Sequence, residues 1–482
     1  MSPGSVEIPI ASSGTVTLNV DRTGTAGDIM LVAQNVPADL QVTFSPAVIP
    51  AAENTSQVTI EVAGGSVAAS STITLVGTSG EVQHTTTVSV ATKTITVSGR
   101  VHNGVSGITV RIAGKPATTS DGAGNFTFTD VTPPYDIYTV GSSGFSGSTS
   151  PAVYYYKGLT RTDPEVLVAT PVTLILFQAS TATVSGTKSG GDTTSKRAIA
   201  WSNGGSLLTG TNNSYSFTAS WPQAATNDGT LYGLQWTTRG NGAPDTFVGY
   251  GSTNATLTAY GSSTVNLTLT APTTAELTGT ITAPSGYPSP TLDVYQQLGN
   301  NAVPLWGPVA TTAVAATIPL ISAGTTSIHA SSAVGSGTDA SSTSWVYPTI
   351  GGAQDVSFAL PPPATLSMPI AAASGVTTTT QFQFSTPPKT INLVDTSTSG
   401  TMKAQYAVYT TESSITIPNV PELPLPPNQS FTWHISGYGP HDTIDEAADS
   451  SGLLGVGTYD FTTGAPPHFY TSSASRTFTS AP

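Results

Sequence analysis

Thr15-Val16-Thr17-Leu18-Asn19-Val20 alternates polar and apolar side chains, and the chain returns to this pattern again and again. Val58-Thr59-Ile60-Glu61-Val62, Ile108-Thr109-Val110-Arg111-Ile112 and Phe431-Thr432-Trp433-His434-Ile435 repeat it. A period of two over five or six residues puts successive side chains on opposite faces of a strand, one buried and one wet. Thr and Val are β-branched and suit a pleated surface. Gly, Pro, Asn and Asp interrupt these runs about every 8–12 residues, the spacing of sandwiches and barrels. The nearest candidate for a helix, Ala364 to Ala373, is broken by Pro369. The pattern predicts an all-β chain.

Working outward, an alternating strand is repeatedly followed by a short Thr/Val/Gly start. Val88-Ser89-Val90 leads into Thr96-Val97-Ser98-Gly99, and Val172-Thr173-Leu174-Ile175-Leu176 into Thr183-Val184-Ser185-Gly186. Val265-Asn266-Leu267-Thr268-Leu269 leads into Glu276-Leu277-Thr278-Gly279, and Val356-Ser357-Phe358-Ala359-Leu360 into Thr365-Leu366-Ser367-Met368. The starts at 96, 183, 276 and 365 are 87, 93 and 89 residues apart, one small sandwich per unit. The expectation is a tandem array of about five β-sandwich domains, at 5–93, 94–180, 181–272, 273–362 and 363–482. Pro-containing junctions such as Pro361-Pro362-Pro363 favour stiff spacing. A straight row and a folded-back body are equally allowed.

Composition narrows the function. Of 482 residues only 9% are charged, with 14 Lys+Arg against 27 Asp+Glu and a net charge of -13. The usual charged share is about 25%. So few cations exclude the phosphate-neutralising cluster of a nucleic-acid binder. Cysteine is absent, which removes disulfides, Cys-ligated zinc and thiol catalysis. No run approaches about 18 apolar residues, so no membrane-spanning helix is expected. The opening Met1-Ser2-Pro3-Gly4-Ser5 carries no signal-peptide pattern, while the Ser/Thr/Gly/Asn-rich, Lys-poor composition is that of an exported bacterial protein. The expected location is extracellular or on the outer bacterial surface, with a lipid anchor on a preceding N-terminal segment as one route of attachment.

Some stretches resemble known families. Leu40-Gln41-Val42-Thr43-Phe44-Ser45-Pro46, Val58 to Val62 and Thr72 to Gly80 resemble bacterial immunoglobulin-like modules. Gly99-Arg100-Val101, Gly107-Ile108-Thr109-Val110 and Thr119-Ser120-Asp121-Gly122-Ala123-Gly124-Asn125-Phe126-Thr127-Phe128 resemble the carboxypeptidase regulatory-like (transthyretin-like) module. That resemblance implies a sandwich of the carbohydrate-binding-like class. Leu425, Pro427 and Phe431 are similar to the tyrosine corner of fibronectin type III, with Phe where that family has Tyr. Tyr156-Lys157-Gly158-Leu159-Thr160-Arg161-Thr162-Asp163-Pro164, with the repeated modules, resembles large surface lipoproteins of gliding soil bacteria.

No nucleophile elbow, zinc-protease or phosphate-loop motif is present, and an enzyme is not expected. Two groups are candidates for binding. Tyr154, Tyr155 and Tyr156, with Trp201, Trp221 and Trp236, would form an aromatic platform for glycans if their rings faced solvent. Asp442, Asp445, Glu446 and Asp449 place four carboxylates within eight residues, a donor set for calcium if the loop gathers them. Core packing and a solvated acidic loop are the bland alternatives. The functional expectation is a stalk, adhesin or assembly component that contacts other surface proteins, copies of itself or glycans.

Overall fold

The computed structural model describes residues 4–23, 27–143, 150–168, 180–192, 194–203, 207–221, 224–239, 244–299, 301–321, 326–334, 343–347, 349–350, 356–398, 404–449 and 468–482. Strands dominate, and the described residues contain two 3-10 turns and no α-helix. They build five sandwiches in chain order. The first runs from strand Ser5–Pro9 to Val82–Lys93, the second from Ile95–Val101 to Glu165–Val166. The third runs from Ser180–Ser189 to Leu267–Thr268, the fourth from Thr274–Thr282 to Phe358–Ala359, and the fifth from Thr365–Met368 to Arg476–Ser480.

The middle three share one topology. Counting strands within each, one sheet sets the first strand between the fourth and the last, and the other has the order 3-2-5-6. The first strand takes the fourth antiparallel and the last parallel in every case. The Thr/Val/Gly repeat has a physical reason here. A Cβ on Gly99, Gly186 or Gly279 would collide with the carbonyl oxygen of Pro164, Val265 or Val356 respectively. Each glycine lets the incoming last strand reach the first. Asp121 shapes the hairpin of the second sandwich. Its Oδ1 accepts the backbone N–H of Ala123 and Asn125 at 2.9 and 2.8 Å, Gly124 takes φ +84, and Phe126 and Phe128 return to the core. These backbone hydrogen bonds hold the Asp121 carboxyl below its ordinary value.

The chain folds back on itself. One 15-stranded sheet passes through the second, fifth and fourth sandwiches in that order. Strand Ser150–Leu159 pairs in parallel with Gln405–Thr410, Ala152 to Tyr156 against Gln405 to Tyr409. Strand His468–Ser472 pairs with Ser430–Gly439 on one side and Thr343–Tyr347 on the other. At the ends of this sheet stand the two-residue strand Thr118–Thr119 and the strand Asn301–Ala310, which carries Pro304 and Pro308. Short or proline-bearing edges resist further pairing. Cores merge as well. Ala198, Leu234, Trp236 and Phe247 of the third sandwich pack into the core of the fourth. The core of the second takes in Ile391, Tyr409, Ile444, Ala447 and Ala448 from the fifth.

Candidate functional site

The tryptophans do not form a platform. Trp201 is fully buried, and Trp221 and Trp236 are 5% and 4% exposed. Trp221 lies on the inward half of an alternating strand, Trp201 and Trp236 lie in stretches buried on both faces, and all three rings fill cores. The Trp201 Nε1 donates toward Asn227 Oδ1 at 3.4 Å. The tyrosine run is likewise turned to packing. Tyr156 is fully buried and stacks on Tyr409 at 4.8 Å, and its hydroxyl accepts the N–H of Leu167 at 3.0 Å. Tyr155 stacks on Tyr138 at 5.6 Å and donates to Asp136 Oδ2 at 2.7 Å. Tyr154 is half-buried against the core of the second sandwich. Burial raises the hydroxyl pKa of Tyr154, Tyr155 and Tyr156. The aromatic reading is therefore corrected: these rings hold sandwiches together.

The acidic loop is corrected too, because each carboxylate already has its own partner. Asp442 pairs with Lys389 Nζ at 2.7 Å. Glu446 accepts from His441 Nδ1 and the Asp442 N–H, both at 2.7 Å, and from the Thr443 N–H at 3.2 Å, closing a capping box on the turn Ile444–Ala448. Asp445 accepts the Thr160 N–H at 2.7 Å, the Thr160 hydroxyl at 2.5 Å and the Arg161 N–H at 3.2 Å. Asp449 Oδ2 lies 3.3 Å from Arg161 Nη1, which also donates to the Asp445 carbonyl at 2.9 Å. Among the described residues no group of three or more His, Asp or Glu side chains converges on a metal position.

The acidic loop instead completes a joint between the second and fifth sandwiches. Parallel backbone pairing forms its floor and the Tyr156–Tyr409 stack its centre. Ion pairs surround them: Lys157 with Glu412 at 2.6 Å, Arg111 with Glu422, and Arg161 with Asp449. Arg161 is anchored on its own side by Asp163, at 3.0 Å from Nε. The loop belongs to one insertion between Ser430–Gly439 and Arg476–Ser480. The start of that insertion docks on the second sandwich, and its His468–Ser472 strand docks on the fourth. Sequence reasoning missed Arg111, Lys157, Tyr409, Glu412 and Glu422. The available signal was the clustering of scarce charges around the Lys157 to Asp163 stretch.

No family model matches this chain, and no curated protein does. Among solved structures it is similar to the Bacillus anthracis TIE protein, at 10% identity over 69% of this chain and 68% of that one, with a TM-score of 0.19. It is also similar to a streptococcal ancillary pilin, at 11% identity over 55% and 98% of the two chains, TM-score 0.14. The pilus adhesin SpaC from Lactobacillus rhamnosus GG matches at 8% identity over 83% and 56%, TM-score 0.13. Superposition at this level carries no functional argument.

Proposed function

We propose that the chain is a non-enzymatic, exported bacterial surface protein that works as a compact adhesive head or assembly component. The observation that carries this reading is the closed joint, which makes one scaffold of several sandwiches and occupies the charged groups that chemistry would need. The outer surface supports the same reading. Across the third sandwich Thr181, Thr183, Ser185 and Thr187 face Ser220, Thr218, Ser216 and Ser214, a neutral hydroxyl face without a charge. Such a face exerts little steering and suits neutral partners, proteins or glycans, at any salt.

In this reading the modules fall at 5–93, 94–180, 181–272, 273–362 and 363–482. The first is of immunoglobulin-like type, the second of transthyretin-like type, the third and fourth are β-sandwich repeats and the last is of fibronectin type III type, with a lipid anchor as the means of attachment. The fold-back favours a head over an extended stalk. Protease treatment of intact producing cells tests the location: the chain should be digested while cytoplasmic markers survive. Protection until the cells are lysed would rule the proposal out.

A further inference from the structure

We infer that the joint between the second and fifth sandwiches also forms between copies of this chain, so that the partner for either half is a second molecule. This inference stands on the joint alone and is independent of where the protein resides.

Neither half is finished by itself. The core of the second sandwich includes Tyr409, Ile391, Ile444, Ala447 and Ala448 from the fifth, while Val153 of the second lies in the core of the fifth. Apart, each half would expose apolar side chains and an unpaired strand, Ser150–Leu159 or Gln405–Thr410. Unpaired edges recruit strands from other chains. The charges select which strand. The cations Arg111, Lys157 and Arg161 belong to the second sandwich, and their partners Glu422, Glu412, Asp445 and Asp449 belong to the fifth. Like halves repel and unlike halves attract. The contact is therefore heterologous, and copies joined through it form head-to-tail rings or chains.

The order of synthesis opens the opportunity. About 250 residues separate Tyr156 from Gln405, so at about 5–20 residues per second the second sandwich waits on the order of 10–50 s for its partner. An open copy can take the fifth sandwich of a neighbour in that interval. Inside one chain the two halves meet at an effective concentration set by the intervening third and fourth sandwiches, which does not change on dilution, whereas neighbours compete in proportion to protein concentration. Crowded refolding should therefore favour exchange and dilute refolding the closed monomer.

The absence of cysteine gives a clean readout. Lys157→Cys and Glu412→Cys sit at an exposed ion pair, 33% and 54% exposed. The two single variants are mixed, unfolded, refolded together and treated with a short bismaleimide. The expected product is a two-chain species joined 157 to 412, identified by mass spectrometry, whose fraction falls up to about tenfold on tenfold dilution. The double variant in one chain is the control and should crosslink internally. Internal crosslinking without any 157–412 product between chains, at every concentration, overturns the inference. A double variant that fails to crosslink overturns the joint and the inference with it.

Discussion

Asp445→Ala offers the sharpest test of the joint. The carboxylate accepts two backbone N–H groups and one hydroxyl from the facing sandwich, at 2.7, 3.2 and 2.5 Å. Buried hydrogen bonds to charged acceptors contribute about 1.5–3 kcal/mol each, but this side chain is half-exposed, and ordinary net values of about 0.5–1.5 kcal/mol apply. Their sum, discounted for non-additivity, is about 2 kcal/mol, or roughly a 30-fold shift in the opening equilibrium. Amide hydrogen exchange reads this locally. Protection of Ala152 to Tyr156 and Gln405 to Tyr409 should fall roughly 30-fold, while strand Val82–Lys93 of the first sandwich is unchanged. Asp445→Asn, which keeps an acceptor oxygen, should recover part of the loss. A change under about threefold at the joint, or an equal change in the first sandwich, would refute the reasoning.

Further outcomes follow from particular side chains. Burial alone would raise the Glu446 carboxyl, but His441 and the backbone N–H groups of Asp442 and Thr443 outweigh it and hold the pKa low. A depressed carboxyl stabilises the fold above its unfolded value and loses that contribution as pH falls, so denaturant midpoints should drop below about pH 4.3 and drop less in Glu446→Gln. Asp395 is the opposite case. Burial raises its pKa against the lowering effects of Gln405 and His434, so its ionised form costs stability at neutral pH. Asp395→Asn should raise the midpoint at pH 7, with the gain shrinking as the solution is acidified; a constant gain would contradict this. Trp201→Ala should cost about 3–5 kcal/mol in unfolding experiments, as for a large core side chain, whereas an exposed platform residue would cost almost nothing. Adding calcium or EDTA should leave the melting temperature unchanged, because all four carboxylates of the loop are already engaged.

The strands were legible because alternation is local. Val58, Ile60 and Val62 point inward because the pleat allows nothing else once one face is buried. The repeat was legible because a glycine at a fixed place in each first strand answers a steric demand that recurs three times. The joint was not legible. Gln405–Thr410 carries the continuous run Tyr406 to Tyr409 of a strand buried on both faces, but nothing local names the strand about 250 residues earlier whose sheet it completes. The tyrosine run and the acidic loop were found as unusual residues, but their purpose depends on what stands opposite them. Aromatic rings read the same in sequence whether they face solvent or another sandwich.

The joint also has a mechanical consequence. A pull between the first sandwich and Pro482 reaches the second sandwich through the backbone, then crosses the paired strands Ala152 to Tyr156 and Gln405 to Tyr409 into the fifth. The third and fourth sandwiches lie off this direct route, with the fourth held to the fifth by the pairing of Thr343–Tyr347 with His468–Ser472. They constitute hidden length. When the parallel pairing and that of Thr343–Tyr347 with His468–Ser472 have both given way, about 250 residues enter the tether, first as folded sandwiches and then, under larger force, as extended chain at up to about 3.3–3.6 Å per residue. Single-molecule stretching would show this as an early release preceding the unfolding of any sandwich. A tether of this kind yields before it breaks.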